Sequence, residues 1–296
     1  MTARIVDSHQ HVNWHQRNVD GLIRDMDAHG ISYAWLLTWY TLPDDPISEG
    51  ASLNPVNVRA DGSQEGITLR DIVEATENYP DRFVVGYCPH PRWRNACKYL
   101  ENAHRMHGAR VCGEWKFRTL IDDPRSLEIF HLAGSLGMPV VLHLDVPYLA
   151  AESGGRVYFP NWYGGTVENL ERALQACPDT TFIGHAPGFW REISADADAA
   201  PAAYPDTGVV MTGKLYRLFD DYPNLYADLS AGSARIALSR DPEHAVSFIE
   251  RFSDRLLFGR DQYGRLLYEF LETLSLEPAV RDQICYQNAE RLVKAP

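Results

Sequence analysis

Apolar and polar positions along this chain alternate between two spacings. Short, β-rich apolar runs lie at 4–12, 33–38, 83–88, 111–117, 139–144, 181–185, 225–229 and 256–259, each of strand length. Between them fall longer helix-like segments at 20–29, 68–78, 92–107, 124–136, 166–176, 214–221 and 242–252, with 266–274 after the last run. Several end in a recognisable stop, as in His29-Gly30, Leu136-Gly137-Met138-Pro139 and Cys177-Pro178. Strands alternating with helices predict a parallel sheet. Eight such units in 296 residues predict one α/β domain spanning 1–296, a closed (β/α)8 TIM barrel. An open doubly wound sheet would carry a glycine-rich first turn, whereas the first strand here runs into HQHVNWH. Two connections, 39–66 and 187–212, exceed the usual loop length. The second contains ISADADAAPAAYPDTG and follows a strand, which puts it on the C-terminal face as a lid or a solvated insertion.

The first strand raises the chemical question. Residues two apart on a strand share a side, so Asp7, His9 and His11 are expected to face the barrel interior together. Interior imidazoles without partners are costly, and something must satisfy them. One His-x-His pair is weak evidence, because two satisfied polar side chains explain it equally. The other strand ends shift the balance: His143 lies in PVVLHLD, His185 in TFIGHAP and Asp261 in LLFGRDQYG. Ligand-type residues directly after four apolar runs point to a divalent ion at the C-terminal face, where barrel sites are built. Imidazole and carboxylate donors suit zinc first, then manganese or iron, with one or two ions per chain. Strand four adds CGEWKF, whose Cys112, Glu114 and Lys116 are expected on one face. An interior Glu–Lys pair is one reading of the last two, and contact of Glu114 with the metal or its water is the other.

The motifs DSHQH, HLD, GHAPG, YPNLYADLSA, LLFGRD and ICYQNAERLV, in that order, resemble the amidohydrolase superfamily. The likeness runs over the whole chain. It is greatest for the amidohydrolase-related branch that includes aminocarboxymuconate-semialdehyde decarboxylase and several lactone hydrolases. The resemblance implies that His9 and His11 are the first ligand pair and His143 the strand-five ligand. It implies that Asp261 touches the metal and handles a proton. His185 would bind a second metal or polarise substrate or water. Lys116 is similar to a carboxylated bridging lysine, and Glu114 to the bridging carboxylate of TatD-like members. Where the family commonly has Gly-Thr-Asp or Gly-Ser-Asp, this chain has Gly259-Arg260-Asp261, so a guanidinium stands beside the site or behind it.

The implied chemistry is metal-assisted hydrolysis of an ester, lactone or amide of a small acidic substrate. Non-oxidative decarboxylation on the same scaffold is the alternative. Hydrolysis has the wider base in the superfamily and is preferred. Trp14, Arg118, Trp190 and Arg191 follow strand ends and are candidate substrate contacts, arginine forks being suited to carboxylates. His15 is placed outside the coordinating set. Trp39-Tyr40 would form an aromatic wall or pack in the core.

Composition narrows the partners. The formal net charge of −12 argues against nucleic acid and against anionic membrane surfaces, leaving a small molecule. No apolar run reaches transmembrane length, and the N-terminus has no signal-peptide pattern. Five cysteines without CxxC spacing fit a reducing cytoplasm. Self-association is common among such barrels, but no patch in the sequence marks an interface.

Overall fold

The computed structural model describes residues 4–45 and 52–296. Its central strands follow the eight apolar runs: β1 (Ile5–Gln10), β2 (Ile31–Leu36), β3 (Phe83–Val85), β4 (Cys112–Trp115), β5 (Val140–His143), β6 (Phe182–His185), β7 (Leu225–Asp228) and β8 (Leu256–Leu257). Every neighbouring pair within β1–β2–β3 and within β4 through β8 is parallel. A Gly86–Val111 bridge joins the two sheets on one side. On the other, Ser8 N–H donates to the carbonyl of Phe258 at 2.9 Å. The sheet therefore closes on itself as a (β/α)8 barrel.

The helices sit where the longer segments predict: α1 (Val19–Ala28), α2 (Leu69–Asn78), α3 (Ala96–His107), α4 (Pro124–Ser135), α5 (Val167–Ala176), α6 (Lys214–Asp221), α7 (Pro242–Phe252) and α8 (Leu266–Thr273). Local chemistry starts them. Thr68 and Asp71 form a reciprocal capping box at α2, and Asp123 and Asp241 cap α4 and α7 ahead of a proline. α3 begins four residues later than expected, because the His90 carbonyl and ring hold Trp93 and Arg92 N–H in a preceding turn. At the ends of the connection 39–66, Trp39–Tyr40 pairs antiparallel with Gly66–Ile67. Only glycine fits at position 66, where φ is +99° and a Cβ would lie 2.0 Å from the Trp39 carbonyl oxygen. A second hairpin, Tyr148–Ala150 with Arg156–Tyr158, and a helix at Ala231–Ser239 were not anticipated.

Alternation along the strands builds two apolar layers. Val6, Tyr33, Trp35, Val84, Val111, Val141, Ile183 and Leu257 fill the barrel, and Ala289 and Val293 join that cluster. Ile5, Ala34, Leu36, Phe83, Cys112, Val140, Phe182 and Leu225 pack outward with helix residues such as Leu22, Ile129 and Ile249. The alternation breaks at two places. The β1–β2 register shifts between Asp7 and Gln10, and the β4–β5 register shifts between Cys112 and Trp115. Two expectations are corrected as a result: Asp7 turns to Arg260 instead of joining His9 and His11, and Cys112 packs in the outer layer, away from Glu114. Among the described residues no helix is long and apolar enough to cross a membrane.

Candidate metal centre

At the C-terminal ends of β1, β4, β6 and β8 the apolar filling gives way to His9, His11, Glu114, His185 and Asp261. All but Asp261 are almost fully buried. His11 Nε2 lies 3.4 Å from Glu114 Oε2 and 3.5 Å from Asp261 Oδ1. His9 Nε2 lies 3.8 Å from Glu114 Oε1 and 4.0 Å from Asp261 Oδ1. His185 Nε2 is 3.9 Å from Glu114 Oε1 and 3.7 Å from Asp261 Oδ2. Nitrogen and oxygen donors that share one ion at about 2.0–2.2 Å stand roughly 3–4 Å from one another. Among the described residues, Nε2 of His9, Nε2 of His185 and Oδ1 of Asp261 are buried with no hydrogen-bond partner. A divalent ion held also by His11 and Glu114 would satisfy His9 Nε2 and Asp261 Oδ1.

Asp261 reaches this position through a left-handed turn, φ +48°, which aspartate tolerates better than most residues. Its N–H donates to the carbonyl of His9 at 2.8 Å. Behind it Arg260 points away from the cluster. Its Nε donates to Asp7 Oδ2 at 2.7 Å and its Nη1 to Asp25 Oδ2 at 2.6 Å. The guanidinium in the unusual Gly-Arg-Asp sequence is therefore a buried brace joining β1, α1 and the end of β8.

Asp228, at the end of β7, is the residue that sequence reasoning missed. One oxygen accepts from His9 Nδ1 and the other from His185 Nδ1, both at 2.9 Å, so that both rings turn Nε2 inward. Ser230 Oγ donates to the same carboxylate. His9, His185 and Asp228 also lie close enough together to hold an ion. The Nδ1 atoms facing Asp228 are already engaged, however, which makes it an orienting carboxylate. His143 occupies the expected strand-five position with both nitrogens in use: Nδ1 contacts Glu114 Oε1 at 2.6 Å and Nε2 contacts Asp145 Oδ2 at 2.9 Å.

A family profile described as amidohydrolase matches residues 6–295. The chain belongs to the amidohydrolase family. This amidohydrolase is similar to an uncharacterised TIM-barrel protein from Bordetella bronchiseptica, at 19% identity over 98% of each chain with a TM-score of 0.63. It is similar to a protein from Pseudomonas putida assigned as a 2-pyrone-4,6-dicarboxylic acid hydrolase, at 12% identity over 99% of this chain and 98% of that one, TM-score 0.61. A third likeness is to a dihydroxybenzoic acid decarboxylase from a Polaromonas species, whose structure holds manganese and the inhibitor 2-nitroresorcinol. That one has 18% identity over 98% of this chain and 97% of the other, TM-score 0.58. At such identities the likeness is one of fold. No curated protein matches the chain.

Two of the amidohydrolase's expected substrate contacts lie elsewhere. Trp190 is fully buried; its Nε1 donates to the carbonyl of Asp228 and its ring packs on Phe189 and Phe248, so it supports strand seven from behind. Arg191 is buried too, its Nη2 donating to the carbonyls of Ala197 and Ala200, which fastens the connection after β6. Both follow β6 in sequence, but the short helix Pro187–Trp190 and the turn after it carry them away from the mouth. Trp14 remains beside the cluster, edge-on to His11 at 5.7 Å. Arg118 is half-buried, donates to the carbonyl of Pro160 and lies 5.8 Å from the Tyr163 ring. His15 meets the Trp14 ring edge-to-face, outside the cluster. Trp39 faces Lys116, whereas Tyr40 packs on Trp93 and Tyr87 in the core.

The electrostatics fit a cation. Burial alone would lower the pKa of His9, but Asp228, Asp261 and Glu114 outweigh it and raise it to about 10. At His143, burial and Lys116 act downward, and the carboxylates of Glu114 and Asp145 carry it up to about 9. Burial would raise Glu114, yet His143, Lys116 and His11 hold it well below the usual carboxylate range. An ion must therefore displace protons. Apparent affinity is expected to rise by about tenfold per pH unit for each proton displaced, until His9 deprotonates unaided near pH 10. The ion-free protein behaves oppositely. The His9 pKa lies above its ordinary 6.5, so its contribution to stability is complete below that pH and is lost as pH rises towards about 10. Competition titrations against a chelator at several pH values check the first trend and thermal melts the second. A pH-independent affinity between pH 7 and 9 would contradict the assignment.

Proposed function

We propose that this amidohydrolase is a metal-dependent hydrolase that cleaves an ester, lactone or amide bond of a small acidic substrate. In this reading His9, His11, Glu114 and Asp261 hold one divalent ion, zinc in the first place and manganese or iron in the second. Residues 1–296 serve as a single catalytic domain acting on a small molecule. The observation that carries the reading is the convergence of His9 and His11 Nε2 on Glu114 and Asp261 at 3.4–4.0 Å, with His9 Nε2 and Asp261 Oδ1 buried and partnerless.

When bound, a divalent ion supplies Lewis acidity towards water and towards a substrate carbonyl. Asp261 is more open to solvent than Glu114, its side chain being 16% exposed against 1%. Its carboxylate accepts the proton of the attacking water and returns it to the leaving group. His185, donating Nδ1–H to Asp228, turns Nε2 into the same space and, as the imidazolium, donates Nε2–H to the charge developing on the substrate oxygen. His143 keeps Glu114 oriented from the other side.

The second reading is a metal-dependent decarboxylase, favoured by the fold likeness to the manganese-containing decarboxylase. Product analysis separates the two. Protein loaded with zinc or manganese is offered lactones, amides and aromatic carboxylic acids, and released acid is scored against carbon dioxide. Acid release that stops on chelation and returns with metal is expected. Carbon dioxide release alone supports the second reading, and turnover that survives exhaustive chelation overturns both.

A further inference from the structure

Two arginines hold the connection that follows β6, and both are out of solvent. Arg191 is 4% exposed, and the side chain of Arg240, just past the helix Ala231–Ser239, is 1% exposed. Arg191 Nη2 donates to the carbonyls of Ala197 and Ala200. Arg240 Nε donates to the carbonyl of Thr207, and its Nη2 donates to the carbonyl of Gly208 at 3.2 Å and to Asp196 Oδ2 at 2.7 Å. Together they fasten the connection at its beginning and at its end.

Their charges are unequally matched. Arg240 has Asp196. Arg191 donates only to carbonyls, and the acids near it are engaged elsewhere: Glu192 and Asp198 pair with Lys214 at 3.5 and 3.0 Å. Burial lowers the pKa of Arg191 against the pull of Glu192, Asp198 and Asp196, and the charge of Arg240 adds to the lowering. A buried charge that lacks a counter-charge is costly. Among the described residues, Nη1 of Arg191 and Nη1 of Arg240 are both buried with no hydrogen-bond partner.

Both side chains line one cavity, with Tyr204, Ser233 and Ala237 among its other walls. Its volume is about 10 Å³, room for a single water-sized guest. Carboxylate, phosphate and sulfate groups are too large for it. A water molecule fits but leaves the charge of Arg191 unanswered. A monatomic anion meets both requirements, taking one donor from each guanidinium.

We propose that Arg191 and Arg240 together bind one halide-sized inorganic anion, which locks the connection after β6 onto the helix Ala231–Ser239. The site shares no residue with the metal centre and does not rest on the hydrolytic reading.

Thermal melts of the full-length protein in sodium chloride, against sodium gluconate at equal ionic strength, provide the first test. Chloride is expected to raise Tm by about 2–4 °C at about tenfold excess over its Kd, and the rise should saturate. Arg191→Met should abolish this chloride-specific rise, while Arg191→Lys should keep part of it. Arg191→Gln replaces the methionine variant if that one does not fold. Crystals soaked in bromide give the second readout, with an anomalous peak expected in contact with both guanidiniums. Coincident chloride and gluconate curves overturn the proposal, as does a chloride-specific rise that survives in a folded Arg191→Met or Arg191→Gln protein. A cavity that holds water and shows no anomalous peak in bromide overturns it as well.

Discussion

His9→Ala is expected to strip the protein of its ion and to reduce kcat/KM by about three orders of magnitude or more. Loss of an outer partner to a metal ligand already costs about 10–100-fold, and His9 is both an inner donor and the partner of Asp228. Its Nε2 is one of the three inward atoms without a hydrogen bond, and its Nδ1 holds Asp228 Oδ2 at 2.9 Å. Removing the ring also frees the carboxylate that orients His185. Elemental analysis and steady-state kinetics on the purified variant are the check, with circular dichroism to confirm folding. A folded His9→Ala protein that kept a full equivalent of ion would refute the proposed ligand set.

Arg260→Met is the second large effect, and it falls on stability. The guanidinium sits between Asp7, which is completely buried, and Asp25, 7% exposed, with contacts of 2.7 and 2.6 Å. Breaking a buried ion pair from one side costs about 3–5 kcal/mol, because the remaining charge has no partner. Burial already raises the pKa of Asp7 despite Arg260, so without the arginine this carboxyl would take up a proton. Denaturant unfolding should therefore report a loss of about 3–5 kcal/mol, largely recovered when Asp7 and Asp25 are replaced together with apolar residues. Arg260→Lys should recover little, since one ammonium cannot span both carboxylates as the fork does. A loss under about 1 kcal/mol would mean that the brace is incidental.

Much of this was legible in the residues. All eight strands and eight of the helices were visible as apolar runs and the stops between them, because a barrel buries its strands on both faces. His9, His11, His143, His185 and Asp261 stood out as ligand-type residues at the ends of such runs. Applied to strand seven, the same rule would have found Asp228 in YADLS, and in HLD it would have found Asp145. Other features were out of reach for physical reasons. Strict alternation put Asp7 with His9, and only the register shift in β1 turns it aside. Nothing local to Arg260 indicates partners 253 and 235 residues away. Trp190 and Arg191 looked like rim residues by position, but a four-residue helix after β6 carries them into the interior.

The contact of Ser8 with Phe258, 250 residues apart, has a consequence for biosynthesis. During synthesis Asp261, and the edge that holds strand one against strand eight, follow His9 and His11 by about 250 residues. Early histidines with no late carboxylate form an incomplete chelate. Metal capture should accordingly wait until strand eight and Asp261 have been made, and truncated products ending before residue 256 should remain ion-free.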